Sequence, residues 1–120
     1  GGVEVELTGR TCPWNTLALW SVPKIALTGF PLVADGLHPL PDGSDGPGGV
    51  EERSAVAILQ RTLGAENARV EMVRVPGVKW EVEWEDEGRR EWHRAKMESK
   101  ERRAERHGEL LGLGGKVWHC

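Results

Sequence analysis

The pattern of apolar and charged residues predicts an α/β or α+β protein, with a small sheet of about four strands and two or three helices, the last long and charged. Three observations carry this. Residues 3–8 and 78–84 alternate apolar and polar side chains, the period of two that a half-buried strand requires. Residues 54–63 place Ala55, Val56, Leu59 and Leu63 at helical spacing, and Gly64 follows as a stop. Residues 85–109 are dense in charge, with acid–base pairs four apart in the order that favours a helix.

Taken in order, Val3-Glu4-Val5-Glu6-Leu7-Thr8 reads as a strand ended by Gly9, and Thr11-Cys12-Pro13-Trp14 as a bend. The apolar run Thr16-Leu17-Ala18-Leu19-Trp20 reads as a buried strand. Ser21 is then placed to cap a short helix over residues 22–28, with Pro23 in its first turn and Gly29 as its stop. A single helix over 15–28 would hold Pro23 in its interior, at a cost of about 3 kcal/mol. Residues 30–40 are apolar and irregular. Pro41 to Gly49 is a turn-rich loop expected to be mobile. Its Asp42 and Asp45 are too few to ligate a metal and read as solvated turn residues.

Gly48 and Gly49 lead into a helix over 51–63. Glu51 and Glu52 lie in its first turn, either as carboxylates favoured by the helix dipole or as site carboxylates at a cleft. Residues 65–68 connect to a strand at 69–75, and Pro76-Gly77 turns into the strand at 78–84. Trp80 and Trp84 share one face of that strand, as core or as a platform for stacking a sugar.

The last helix is expected over 85–110. Its pairs are Glu85–Arg89, Asp86–Arg90 and Glu98–Arg102. Its apolar stripe is thin: Trp92, Ala95 and Met97, then nothing until Leu110. A solvated helix with a projecting second half is therefore expected. Arg102, Arg103 and Arg106 are diluted by Glu101, Glu105 and Glu109. The tail at 116–120 is apolar enough to dock back. This divides the chain into a core at 1–84 and a charged helix with its tail at 85–120. The expected core is Leu17, Leu19, Ile25, Leu27, Val56, Leu59, Leu63, Val73, Trp80 and Val82.

Composition narrows the function. With 120 residues the chain is long enough for one modest domain. A net charge of -3 argues against a general nucleic-acid binder. No apolar run approaches the roughly 20 residues of a membrane helix. No basic-then-apolar leader is visible, so a soluble protein is expected. The start Gly1-Gly2, without Met, reads as a trimmed chain or a fragment. A disulfide between Cys12 and Cys120 cannot be read from the sequence, and two free thiols are the simpler reading. With His38 and His119 they have no zinc-ligand spacing. His93 and His107 are too far apart to act together. The residues identify no cofactor, and no nucleophile–base set is visible.

From Asn15 to Trp80 the order of features resembles the C-terminal half of nucleotide-sugar glycosyltransferases with the GT-A-type fold, including uncharacterised fungal proteins of this kind. The matching stretches are Asn15-Thr16-Leu17-Ala18-Leu19-Trp20, Val22 to Leu27, Gly29-Phe30, Gly49-Val50-Glu51-Glu52, the helix to Gly64, and Val70 to Val75. Together they cover roughly half of the chain. The resemblance implies that Glu51 or Glu52 is the acceptor-side base, which deprotonates a sugar hydroxyl as it attacks the anomeric carbon. It places Asn15, Gly49, Trp80 and Trp84 around a carbohydrate acceptor. Arg53-Ser54 departs from the family, where many members continue with another acid. The family's nucleotide-binding half, with its Asp-x-Asp motif, would precede Asn15 and is not in these residues. The isolated chain is therefore expected not to transfer sugar by itself. The other function the residues allow is a non-catalytic module that binds a protein partner through the helix at 85–110 and exposed tryptophans. Limited proteolysis of the free chain is expected to cut between Pro41 and Gly49 before it cuts any strand, with the first fragments read by mass spectrometry.

Overall fold

A computed structural model describes residues 2–35, 50–79 and 84–120. The loop at 41–49, with Asp42, Asp45, Gly48 and Gly49, lies outside the described residues. So do His38, Trp80, Val82 and most of the strand expected at 78–84. The chain is an α+β mix, with three helices and a three-stranded mixed sheet among the described residues. The strands are β1 (Val3–Glu6), β2 (Glu71–Met72) and β3 (Lys116–His119). The helices are α1 (Val22–Thr28), α2 (Glu51–Leu63) and α3 (Glu87–Leu111).

The sheet order is β1-β3-β2, so the C-terminal tail supplies the middle strand. β3 runs antiparallel to β1, with Val5 opposite Val117 and Glu6 opposite Lys116, and parallel to β2, with Glu71 opposite Trp118. The tail expected to dock back thus lies inside the sheet that the N-terminus begins. Leu7 N–H donates to Gly115 O at 2.9 Å, and Trp118 N–H to Val70 O at 2.9 Å. Arg69 lies over the Trp118 ring, 4.1 Å from its centroid, and closes the β2 side.

Two expected strands are corrected. Residues 16–20 form no strand: Asn15–Leu17 is a short 3-10 turn, and the chain leaves it extended and unpaired. Leu17 and Leu19 stand out in solvent, Leu19 fully so. Proline at 13 and a turn at 15 leave this run beside a helix rather than beside a strand, and an apolar run without a ladder partner has no sheet to join. The strand expected at 69–75 is cut to Glu71–Met72, because β3 offers only a short parallel edge there, and Val73 and Val75 are exposed.

α2 is the central helix. Its bounds follow the expectation, closed by Gly64 at φ 87° with its N–H on Gln60 O at 2.8 Å. Its inner face, with Leu7, Cys12 and Val117, forms the core, which Val56 and Ala57 enter from the helix. Each large side chain buried there contributes about 1.5–3 kcal/mol. Of the expected core, Val56 and Leu59 are buried, Leu63 and Ile25 are half-buried, and Leu27 and Val73 are exposed.

Polar side chains on α2 do as much of the joining as apolar ones. Gln60 is buried and works as a piece of strand. Its Nε2 donates to Lys116 O at 2.8 Å and Ala68 O at 3.1 Å, and its Oε1 accepts from Lys116 N–H at 2.7 Å. Arg53 crosses to the other end of the chain and donates to Leu113 O at 3.1 Å. It lies where Gly108 has no side chain: a Cβ there would fall 2.3 Å from its Cζ. The expectation that the second half of α3 projects is corrected by this contact. Ala104, His107 and Gly108 are buried, while the first half carries no buried residue. Small residues let the two helices approach, and a search for large apolar residues passes over them.

α3 starts on the Asp86 side chain, which accepts from Arg89 N–H at 3.1 Å, and stops at Gly112 in the left-handed region. Its exposed face is laced by Arg94, which bonds Glu91 and, at 2.9 Å, Glu98. Such pairs on a fully solvated face contribute little to stability, because water screens them. Gln60→Leu is expected to cost about 2–4 kcal/mol, because both polar groups of Lys116 and the Ala68 carbonyl lose a buried partner. Glu87→Ala should move stability by less than about 0.5 kcal/mol. Urea denaturation followed by far-UV circular dichroism separates the two.

Candidate functional site

The site forms where α2 begins. Val50 N–H donates to Ala34 O at 2.9 Å, which holds the 31–34 segment beside the first turn of α2. Phe30, Pro31, Leu32, Ala34 and Glu51 line a cleft of about 360 Å³ there. That volume suits one small ligand, within the roughly 300–1,000 Å³ usual for such clefts. The lining joins apolar side chains to one carboxylate, that of Glu51.

Asn15 ties the two glutamates together across more than 30 residues of chain. Its side-chain Nδ2 donates to Glu51 Oε1 at 2.9 Å, and its backbone N–H donates to Glu52 Oε1 at 2.9 Å. Its Oδ1 accepts from Trp20 Nε1 at 3.0 Å. The amide is thereby oriented: an indole N–H only donates, so the oxygen faces Trp20 and the nitrogen faces Glu51. Trp20 also meets Phe30 edge to face, with ring centroids 5.5 Å apart at 85°.

The two glutamates occupy different environments. Glu52 is 4% exposed, and its second oxygen, Oε2, is buried without a hydrogen-bond partner among the described residues. Glu51 is half-buried and lines the cleft. Beyond the bond from Asn15, its carboxylate takes no other side-chain hydrogen bond from the described residues. Behind Glu52 lies Cys12. Burial pushes the Cys12 thiol up from its ordinary 9.0 to about 12, helped by the charge of Glu52 and opposed by Arg53 and Lys100. Lys100 itself sits 4.3 Å from the centroid of the Trp14 ring.

Of the residues the sequence singled out, the structure brings Asn15, Glu51 and Glu52 into one network. Trp84 is elsewhere: its ring packs on His93, 4.6 Å between centroids, with Arg89 over it, and it is not part of the described wall of the cleft. Gly49 and Trp80 lie outside the described residues. Sequence reasoning missed Trp20 and the Phe30-to-Ala34 wall. The available signal was the apolar, irregular run after Gly29, too broken for a helix or strand yet too apolar for an ordinary loop.

A larger groove of about 670 Å³ runs between the turn at Thr8–Arg10 and α3. Part of its polar lining is paired: Arg10 with Glu101 at 3.3 Å, and Gly9 N–H with Glu105. It is a crease between two packed elements. Among the described residues no group of His, Cys, Asp or Glu is arranged to hold a metal. No helix among them is long and apolar enough to cross a membrane. Compared with protein families, curated proteins and solved structures, the chain matches none of them.

Cys12 is expected to resist iodoacetamide in the folded chain while the exposed Cys120 reacts, as read by mass spectrometry. The raised thiol also sets a pH dependence. The unfolded chain releases this proton near 9.0, whereas the folded chain holds it to about 12. The stability tied to the neutral thiol is therefore full below about 9 and lost as pH rises toward 12. The stability difference between the native chain and Cys12→Ala should shrink across that window in urea titrations.

Proposed function

We propose that the cleft at the start of α2 holds a hydroxyl-bearing acceptor of the carbohydrate class, with Glu51 as the group that accepts the hydroxyl proton. The supporting observation is the Asn15–Glu51 bond: an amide 36 residues away fixes one carboxylate oxygen of Glu51. The other oxygen has no side-chain donor among the described residues, and Glu51 lines a cleft together with the apolar Phe30, Pro31 and Leu32. A sugar presents that combination of surfaces, an apolar ring face for Phe30 and Leu32 and hydroxyls for a carboxylate. In a glycosyltransferase-like role Glu51 would take the proton as the hydroxyl attacks, with Glu52 as its buried anchor rather than a second base. The reading assigns this chain the acceptor side of such a reaction.

Titration of the chain with a panel of mono- and oligosaccharides, followed by tryptophan fluorescence, tests this. Glu51→Gln keeps an acceptor for Asn15, so its melting temperature should stay near that of the native chain, while saccharide affinity falls about tenfold. A panel without binding, or an affinity unchanged by Glu51→Gln, would reject the reading.

A second reading, a protein-interaction module, is favoured by one observation. Leu17, Leu19, Val22, Leu27 and Leu32 all keep more than half of their surface in water, and so does Trp92 on α3. Apolar side chains so concentrated in one stretch are a usual mark of an interaction surface. Leu19→Lys with Leu27→Lys should abolish partner capture and leave saccharide affinity intact if the module binds through this stretch.

A further inference from the structure

From the same hydrogen-bond network, and resting on the acceptor-cleft reading above, we infer that Trp20 is the positioning residue of the cleft, holding its carboxylate and its apolar wall in register. Trp20 touches neither the cleft surface nor Glu51 directly. Its indole N–H fixes the Asn15 amide, whose nitrogen holds Glu51. Its ring meets Phe30, which lines the same cleft as Glu51. One half-buried side chain thus connects to both the carboxylate and the apolar lining, and it packs on the core of Leu7, Cys12, Val56, Ala57 and Val117. The core therefore sets where Trp20 stands, and Trp20 sets the separation between carboxylate and wall.

The chemistry of the bond is directional. An indole nitrogen donates and never accepts. With the donor removed, Asn15 Oδ1 loses that partner, and the Asn15 side chain is held on one side only, by Glu51. The side chain is then freer to rotate, and the bond that fixes Glu51 is populated less. Phe at position 20 keeps the ring and its contact with Phe30 but lacks the N–H.

The first test needs no ligand. In ¹⁵N spectra at one fixed pH, the Trp20 Nε1–H and Asn15 Nδ2–H₂ signals of the native chain are compared with those of variants. Glu51→Gln should shift both, because the two bonds share the Asn15 amide. Glu52 is the other acid on Asn15, through its backbone N–H. Glu52→Gln should shift the Asn15 backbone signal more than the side-chain signals. In Trp20→Phe, with its circular dichroism spectrum kept, adding Glu51→Gln should no longer shift the Asn15 side-chain signals as it does in the native chain. A Trp20 signal unmoved by Glu51→Gln, or an Asn15 amide that answers Glu51→Gln equally with and without Trp20, would overturn the inference whatever the cleft binds.

The second test uses the saccharide that binds most tightly in the fluorescence panel. Trp20→Phe should lower affinity about tenfold, the scale of one hydrogen bond. Combined with Asn15→Ala it should add nothing further, because it acts through that residue. Additive losses would overturn the relay. If no saccharide binds, the acceptor reading fails, and the ¹⁵N comparison still decides whether Trp20 positions Glu51.

Discussion

The fold depends on the burial of α2 together with polar side chains that its position obliges the rest of the chain to satisfy. Glu52, Arg53, Ser54 and Gln60 are all buried on this one helix. Buried polar groups cost free energy unless they find partners. Here most partners come from distant segments: Glu52 takes the Asn15 turn, Arg53 takes the Leu113 carbonyl, and Gln60 takes both polar groups of Lys116. Each bond is modest alone. Together they act as a register, since a shift of α2 by one residue would strand several buried groups at once.

The middle strand of the sheet shows how far that register reaches. β3 is only four residues long, yet it holds the centre between β1 and β2, with Val117 and Trp118 buried. Gln60 lies against the start of this strand. A Cβ at Gly115 would fall 2.7 Å from Gln60 Oε1, so the absent side chain is what admits the amide. The same device operates at Gly108, where the Arg53 guanidinium fills the space of a missing side chain. Glycines in this part of the chain serve close approach as well as turns.

This explains what was legible in the sequence. α1 and α2 were readable to their ends, because Gly29 and Gly64 stop them by local backbone geometry. β1 was readable from its alternation. The strands beyond were not, because pairing depends on partners far away: Glu71–Met72 is a strand only as far as β3 runs beside it. Leu17 and Leu19 were misplaced for a related reason. Hydrophobicity says that a residue gains from burial, but not that the fold supplies a surface to bury it. Of the site, Asn15, Glu51 and Glu52 were legible as residue types at the ends of elements. Trp20 was not, since its role rests on a hydrogen bond to Asn15 and a ring contact with Phe30 that no spacing rule encodes.

The division of labour between the two glutamates follows from helix geometry alone. Successive residues on an α-helix point about 100° apart. When the first turn of such a helix is packed on one side, two adjacent carboxylates cannot both face the same cleft. One turns inward and must be satisfied there, and the other stays at the rim. Asn15 meets both demands with different atoms, its backbone N–H for the inward carboxylate and its side-chain nitrogen for the outer one. The inward carboxylate adds a cost, because its Oε2 is buried without a partner among the described residues, and it adds to the burial that raises the Cys12 thiol beside it. The positive end of the α2 dipole offsets part of that cost at this first turn. An acidic pair that reads in the sequence as two equivalent candidates therefore becomes, once folded, one buried anchor and one half-buried carboxylate that lines the cleft.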